Sequence, residues 1–133
     1  MLQGVYAVMY LLDTHALLWF LDKSENLSKK ALSKITSDSK IYVSVATLWE
    51  IAIKRSIKKL NINKNSSQLK KICEKEHIEI LPLLEKHIDL IHDLPFIHSD
   101  PFDRILIAQA QSENLTIITK DSKIKLYDVK TLW

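Results

Sequence analysis

Four acidic residues, far apart in the chain, carry most of the chemistry that this sequence offers. Asp13 follows the apolar run "YLL", Glu50 lies in "VATLWEIAIK", Asp103 in "HSDPFDRILIAQA", and Asp121 just after "LTIITK". Brought to one place, four carboxylates repel and raise each other's pKa values unless a cation sits among them. Oxygen-only ligands suit hard divalent ions, Mg²⁺ or Mn²⁺, better than zinc. No histidine or cysteine stands at ligand spacing, which narrows the reaction as well. In two-metal hydrolysis, ions roughly 3.5 to 4 Å apart stabilise the attacking and leaving oxygens of an in-line phosphoryl displacement. The natural substrate of such a site is a phosphodiester.

Each acid also has a local structural role open to it. Asp13 can cap a helix beginning at Thr14, Asp121 can form an Asx turn with Ser122, and Glu50 stands four residues before Lys54 as a helical ion pair. Asp100, Pro101 and Asp103 together make a good helix start. Taken singly, each is structural more often than functional. The five histidines form no i, i+4 pair on a helix, and His87 and His92 point to different faces. They read as surface or interface residues, with His98 the one to test for substrate contact. Trp19, Trp49 and Trp133 read as core or dimer-contact residues ahead of base-stacking ones.

The elements must bring the acids together. Strand-like runs fall at 8–12, 41–45, 78–81, 115–119 and 127–130. Helical patterns lie between them, over Thr14 to Leu21, Ser28 to Ser37, Ala46 to Ile57, Ser67 to Glu76, Leu84 to His92 and Pro101 to Glu113, with Ser28 and Ser67 as N-caps. This alternation predicts an α/β fold, a three-layer α/β/α sandwich with a central, mainly parallel sheet and right-handed crossovers. Ligands of such sheets bind outside the carboxyl ends of the strands. Asp13 and Asp121 should share that edge, Glu50 follows in the second turn of the next helix, and spacing alone fixes Asp103 least.

The 133 residues, 47% hydrophobic and 26% charged with one glycine, fit one folded domain over 1–133 and not a disordered chain. The lone Cys73 excludes an internal disulfide, fits a reducing compartment and suits a small buried apolar position. The start "MLQGVYAVMYLL" lacks a basic leader and is too short to span a bilayer. A cytoplasmic protein with no membrane partner is therefore expected, with residues 1–8 either an N-terminal extension before Met9 or a lengthening of the first strand. The formal charge of +3 gathers in "KRSIKKLNINK" (54–64) and "LKKICEK" (69–75). From charge alone these are solvated faces. Beside an acidic phosphodiesterase site they would hold a nucleic-acid backbone.

Four motifs, in order and suitably separated, give the sequence a family likeness: "YLLDTHALLW" (10–19), "SVATLWEIAIK" (44–54), "LPFIHSDPFDRILIAQA" (94–110) and "TKD" (119–121). The chain from about Met9 to Trp133 resembles the PIN-domain nucleases, and most closely the VapC-type ribonuclease toxins of bacterial type II toxin-antitoxin pairs. The resemblance implies a Mg²⁺- or Mn²⁺-dependent endoribonuclease in which Asp13, Glu50, Asp103 and Asp121 match the acidic quartet. Asp13, Asp103 and Asp121 would be the main ligands, and Glu50 one directly or through water. Thr14 and Ser44 match positions that help hold such a site, while Asp100 and Arg104 look like supporting or substrate-side residues. Similar proteins form homodimers, cut structured RNA such as transfer RNA, and are inhibited by a VapB-like antitoxin that often inserts a basic side chain. The chain departs from the pattern near Lys58, where related sequences often have glycine, and at Lys123, where some branches carry a further acid. Residues 1–8 have no counterpart. Other readings are a structure-specific DNA nuclease, a degenerate PIN domain that only binds its partner, and a phosphoryl-accepting signalling domain with Lys120 as its lysine. Against the last, the first strand ends in one acid and not a doublet.

Overall fold

The computed structural model describes residues 8–133, so most of the expected extension lies outside the described residues. Five parallel strands form one sheet in the order β3-β2-β1-β4-β5, where β1 is Met9–Leu12, β2 Lys40–Ser44, β3 Ile78–Leu81, β4 Thr116–Ile118 and β5 Thr131–Leu132. Six α-helices join them among the described residues: α1 Thr14–Leu21, α2 Lys29–Ile35, α3 Val45–Ser56, α4 Ser66–Lys75, α5 Glu85–Asp93 and α6 Pro101–Glu113. The three-layer α/β/α sandwich expected from the alternation is thus the fold observed.

Its layers follow from side-chain alternation along the strands. Tyr10, Leu12, Ile41, Val43 and Ile118 face one side, packing with Ala16, Leu17, Ala31, Ile35, Leu48, Ile51, Leu69 and Cys73 from α1 to α4. Leu11 and Ile117 face the other, packing with Leu106, Ile107 and Ala110 of α6 and with Leu94. A sheet covered on both faces needs strands apolar at nearly every position, and "YLL" and "TII" supply that. Register does the rest. Leu12 pairs with both Val43 and Ile118, so β1 and β4 end level, β2 runs one residue further to Ser44, and the residues after them share one edge.

Two local expectations need correction. The fifth strand is Thr131–Leu132 and not 127–130. The alternation in "YDVK" does put Tyr127 and Val129 on the second core, but the backbone there turns, with the Val129 amide donating to the Tyr127 carbonyl at 2.8 Å. Helix α4 is capped by Asn65 and not Ser67. Asn65 Oδ1 accepts from the Gln68 amide at 2.9 Å while Gln68 Oε1 accepts from the Asn65 amide at 2.8 Å, a reciprocal box that no Ser67 cap could make with this sequence.

Candidate active site

Asp13 is the first residue beyond β1, and the fold uses both of its oxygens. Oδ1 accepts from the Ala16 amide at 2.8 Å, capping α1, and Oδ2 accepts from the Thr119 hydroxyl at 2.5 Å. Thr119 stands at the equivalent place after β4, so one bond ties two strand ends together. Its hydroxyl also accepts from the Asp121 amide at 3.0 Å. Asp121 Oδ1 in turn accepts from the amides of Lys123 and Ile124 at 2.7 and 3.0 Å, leaving Oδ2 to face the pocket. Glu50 rises from the second turn of α3, buried, with Oε1 accepting from Thr14 Oγ1 at 2.5 Å and Oε2 held by Lys54 Nζ at 2.7 Å.

Asp103 comes from the other side. Helix α6 begins at the same sheet edge, because its apolar "ILIAQA" must run back along the sheet to reach β4. Asp100 caps it, Oδ1 accepting from Phe102 and Asp103 amides at 2.8 and 3.1 Å, with Pro101 as its first residue. Asp13, Thr14, Glu50, Asp100, Asp103 and Asp121 therefore line one cavity of about 460 Å³. His15, Trp19, Lys54, His98 and Lys120 complete it.

Ser44 and Arg104 lie outside that lining. Ser44 is fully buried at the end of β2 and caps α3 by accepting from the Ala46 amide at 3.0 Å. Buried Arg104 grips the preceding loop. Its guanidinium donates to Pro95 and Ile91 carbonyls at 3.0 and 3.2 Å and to the Tyr127 hydroxyl at 3.2 Å, and lies 4.9 Å from the Phe96 ring. That hydroxyl accepts from the His98 and Ile97 amides at 2.7 and 3.1 Å. The loop before α6 is thereby fixed from two sides.

The histidine expectation fails at two places. His87 is fully buried, its Nδ1 accepting from the Leu84 amide at 3.0 Å to close the first turn of α5 and its Nε2 lying 2.8 Å from Glu113 Oε2. His98 is 9% exposed, with Nε2 at 2.8 Å from Asp103 Oδ2 and 3.4 Å from Asp121 Oδ2. Spacing rules for helical pairs miss it because it stands in the loop before α6, and Asp121 reaches it from beyond β4. Its position next to the acidic motif was the one available signal. Thr119 hides in "TKD", and Tyr127 sits beyond any motif. Trp49 is exposed, not packed in the core, and meets Phe102 edge-on at 5.0 Å between centroids.

The carboxylates differ in their electrostatics. Burial first, then the charges of Asp100, Asp13, Asp121 and Glu50, push the Asp103 carboxyl up to about 8. Burial also raises Asp13 against the opposing pull of its bonds from Thr119 and Ala16. Asp121 moves the other way: burial raises it, but the Ile124 and Lys123 amides and nearby His98 outweigh that and hold it below its usual range. The cavity thus crowds more negative charge around Asp103 than its surroundings favour. Oxygen donors converging with too much charge for their surroundings fit a hard divalent cation.

The PIN domain family profile matches residues 10–130. No curated protein matches the chain. Among solved structures the chain is similar to VapBC2 from Rickettsia felis bound to a DNA fragment from their promoter, with a TM-score of 0.68, 16% identity, and 94% of this chain and 98% of that chain covered. It is also similar to FitAcB from Neisseria gonorrhoeae, with a TM-score of 0.64, 20% identity, and 94% and 97% covered. DNA-bound VapBC from Salmonella typhimurium gives a TM-score of 0.62, 14% identity, and 94% and 97% covered. At these identities the likeness is one of fold.

Proposed function

This chain belongs to the PIN-domain family, and we propose that it is a metal-dependent endoribonuclease, the toxin of a type II toxin-antitoxin pair. The observation that carries this reading is the convergence of Asp13, Glu50, Asp103 and Asp121, from four segments, on one cavity in which Asp103 cannot comfortably be charged without a cation. Asp13, Asp103 and Asp121 would hold Mg²⁺ or Mn²⁺, with Glu50 a further ligand directly or through water. Bound there, a divalent cation would neutralise the carboxylates, activate water and stabilise charge developing on a phosphoryl group. The chain's own residues prepare the site: Thr119 and Thr14 orient Asp13 and Glu50 by hydrogen bonds, and Asp100 fixes the first turn of α6 under Asp103. Lys54 offsets Glu50, and the basic run from Lys54 to Lys64 continues from it as a surface for the RNA backbone.

Two partners belong to the proposal. A VapB-like antitoxin would occupy an apolar groove of about 560 Å³ lined by Leu18, Leu60, Ile62, Leu69 and Ile72, which shares His15 and Trp19 with the acidic cavity. A chain lying in it is led to the carboxylates, where a basic side chain is favoured. A second copy would cover the exposed apolar face of α3 formed by Val45, Trp49 and Ile53, giving a homodimer.

Purified protein incubated with transfer RNA and Mn²⁺ should cleave it. Chelator should abolish cleavage, and Asp13→Asn should reduce it by at least about a hundredfold. Equal cleavage by Asp13→Asn would remove the metal mechanism, and cleavage of duplex DNA in place of RNA would move the assignment to a DNA nuclease.

A further inference from the structure

His98 lines the acidic cavity, and its Nε2 is buried there without a hydrogen-bond partner. Its Nδ1 accepts from the Asp100 amide at 3.3 Å. A backbone N–H can only donate, so Nδ1 carries the lone pair and the proton of the ring is assigned to Nε2. Nε2 is then a donor with no lone pair for a metal. Histidines that ligate metals give their other ring N–H to an acceptor, and here that neighbour is itself a donor. Yet Nε2 is buried without an aligned hydrogen bond: Asp103 Oδ2 at 2.8 Å and Asp121 Oδ2 at 3.4 Å are close but off the N–H direction. Buried donors in folded proteins almost always have an acceptor.

We propose that His98 is a phosphate-binding residue and not a metal ligand: its Nε2–H donates to an oxygen of the phosphodiester that enters beside Asp103 and Asp121. This rests on the nuclease reading, which supplies the phosphodiester. An acceptor has to come from outside, since the two carboxylates in reach are misaligned and would be taken up by a cation. An anion enters a pocket of carboxylates only together with a cation, and a phosphate with its divalent ion meets both conditions. The donor is also held in place beforehand. Tyr127 takes the His98 and Ile97 amides, and Arg104 braces Tyr127 and the Pro95 carbonyl, so little conformational freedom remains to be lost on binding.

The test compares wild type, His98→Ala and His98→Gln, whose amide nitrogen can reach the place of Nε2 and donate. Mn²⁺ affinity is measured by electron paramagnetic resonance, and affinity for inorganic phosphate by calorimetry on the Mn²⁺-saturated protein. His98→Ala should keep wild-type Mn²⁺ affinity and bind phosphate roughly tenfold more weakly, with KM for RNA rising in parallel. His98→Gln should recover most of the phosphate affinity. Should His98→Ala not fold, His98→Leu fills the ring volume without a donor. A parallel loss of Mn²⁺ affinity would make His98 a ligand and overturn the proposal, as would unchanged phosphate affinity or a wild type that binds no phosphate. If phosphate binding follows the prediction while the wild type cleaves no RNA, the donor role stands and the endoribonuclease reading falls.

Discussion

At Asp103, burial and the neighbouring Asp100, Asp13, Asp121 and Glu50 all act against ionisation. Unfolded, the group titrates at roughly 4; folded and without metal, at about 8. Between those values the folded chain holds a proton that the unfolded chain has released, so stability falls as pH rises through the window. A divalent ion competes with that proton. The melting temperature of metal-free protein should therefore drop from about pH 5 to about pH 8, and Mn²⁺ should raise it more at the upper end. Asp103→Asn should flatten the drop and stabilise the metal-free protein by on the order of 1 kcal/mol at the upper end. A metal-free melting temperature that climbs across this range would count against the crowded carboxylate. That Asp13 and Asp121 share one sheet edge was legible from strand-end logic, and Glu50 and Asp103 were singled out by the likeness of motifs. The part played by Thr119 was not legible, because a threonine hydroxyl bonding across 106 positions leaves no periodic trace.

The helix ends show the same division at the scale of elements. With one glycine in the sequence, α1, α3, α4 and α6 finish beside Lys23, Lys58, His77 and Asn114, each in the left-handed region with φ between 52° and 60°. Asparagine tolerates that conformation, whereas lysine meets a Cβ clash. After α3, Lys58 makes the tight turn in which the Lys59 amide donates to the Lys54 carbonyl at 2.8 Å. Lys58→Gly should relieve the clash and, net of the larger freedom of glycine in the unfolded chain, stabilise by roughly 0.5 kcal/mol. Urea unfolding would read it as a higher midpoint at unchanged slope, and a lower midpoint would mean that the turn carries no strain. Helix and strand identities were legible because helices repeat every 3.6 residues and the buried strands read as short continuous apolar runs. Ends were less so: Asn65 outcompetes Ser67 through a partner three residues on, and "YDVK" alternates like a strand while Thr131–Leu132 is the segment that meets β4.

For the whole molecule, the exposed face of α3 is the feature that a lone copy leaves open. Val45, Trp49, Ile53 and Ile57 recur every fourth residue and are 40, 55, 38 and 55% exposed. A continuous apolar stripe of this kind marks an interface more often than a free surface. The homodimer proposed above should bury it, and Trp49→Glu should shift the mass measured by light scattering from dimer toward monomer. A wild type that is already monomeric would exclude the dimer. Among the described residues no helix is long and apolar enough to cross a membrane, so the stripe is not part of a helical span.

The sequence by itself determined the layer order and the parallel sheet, because apolar periodicity and local capping chemistry are written in adjacent residues, while the likeness of motifs singled out the four acids. Only the tertiary structure decided how those acids are held. The register that pairs Leu12 with Ile118 sets Asp13 against Thr119, the return of α6 toward β4 delivers Asp103, and the Arg104–Tyr127 clamp turns His98 inward. Each of these depends on distances between segments far apart in the chain, which no local pattern encodes.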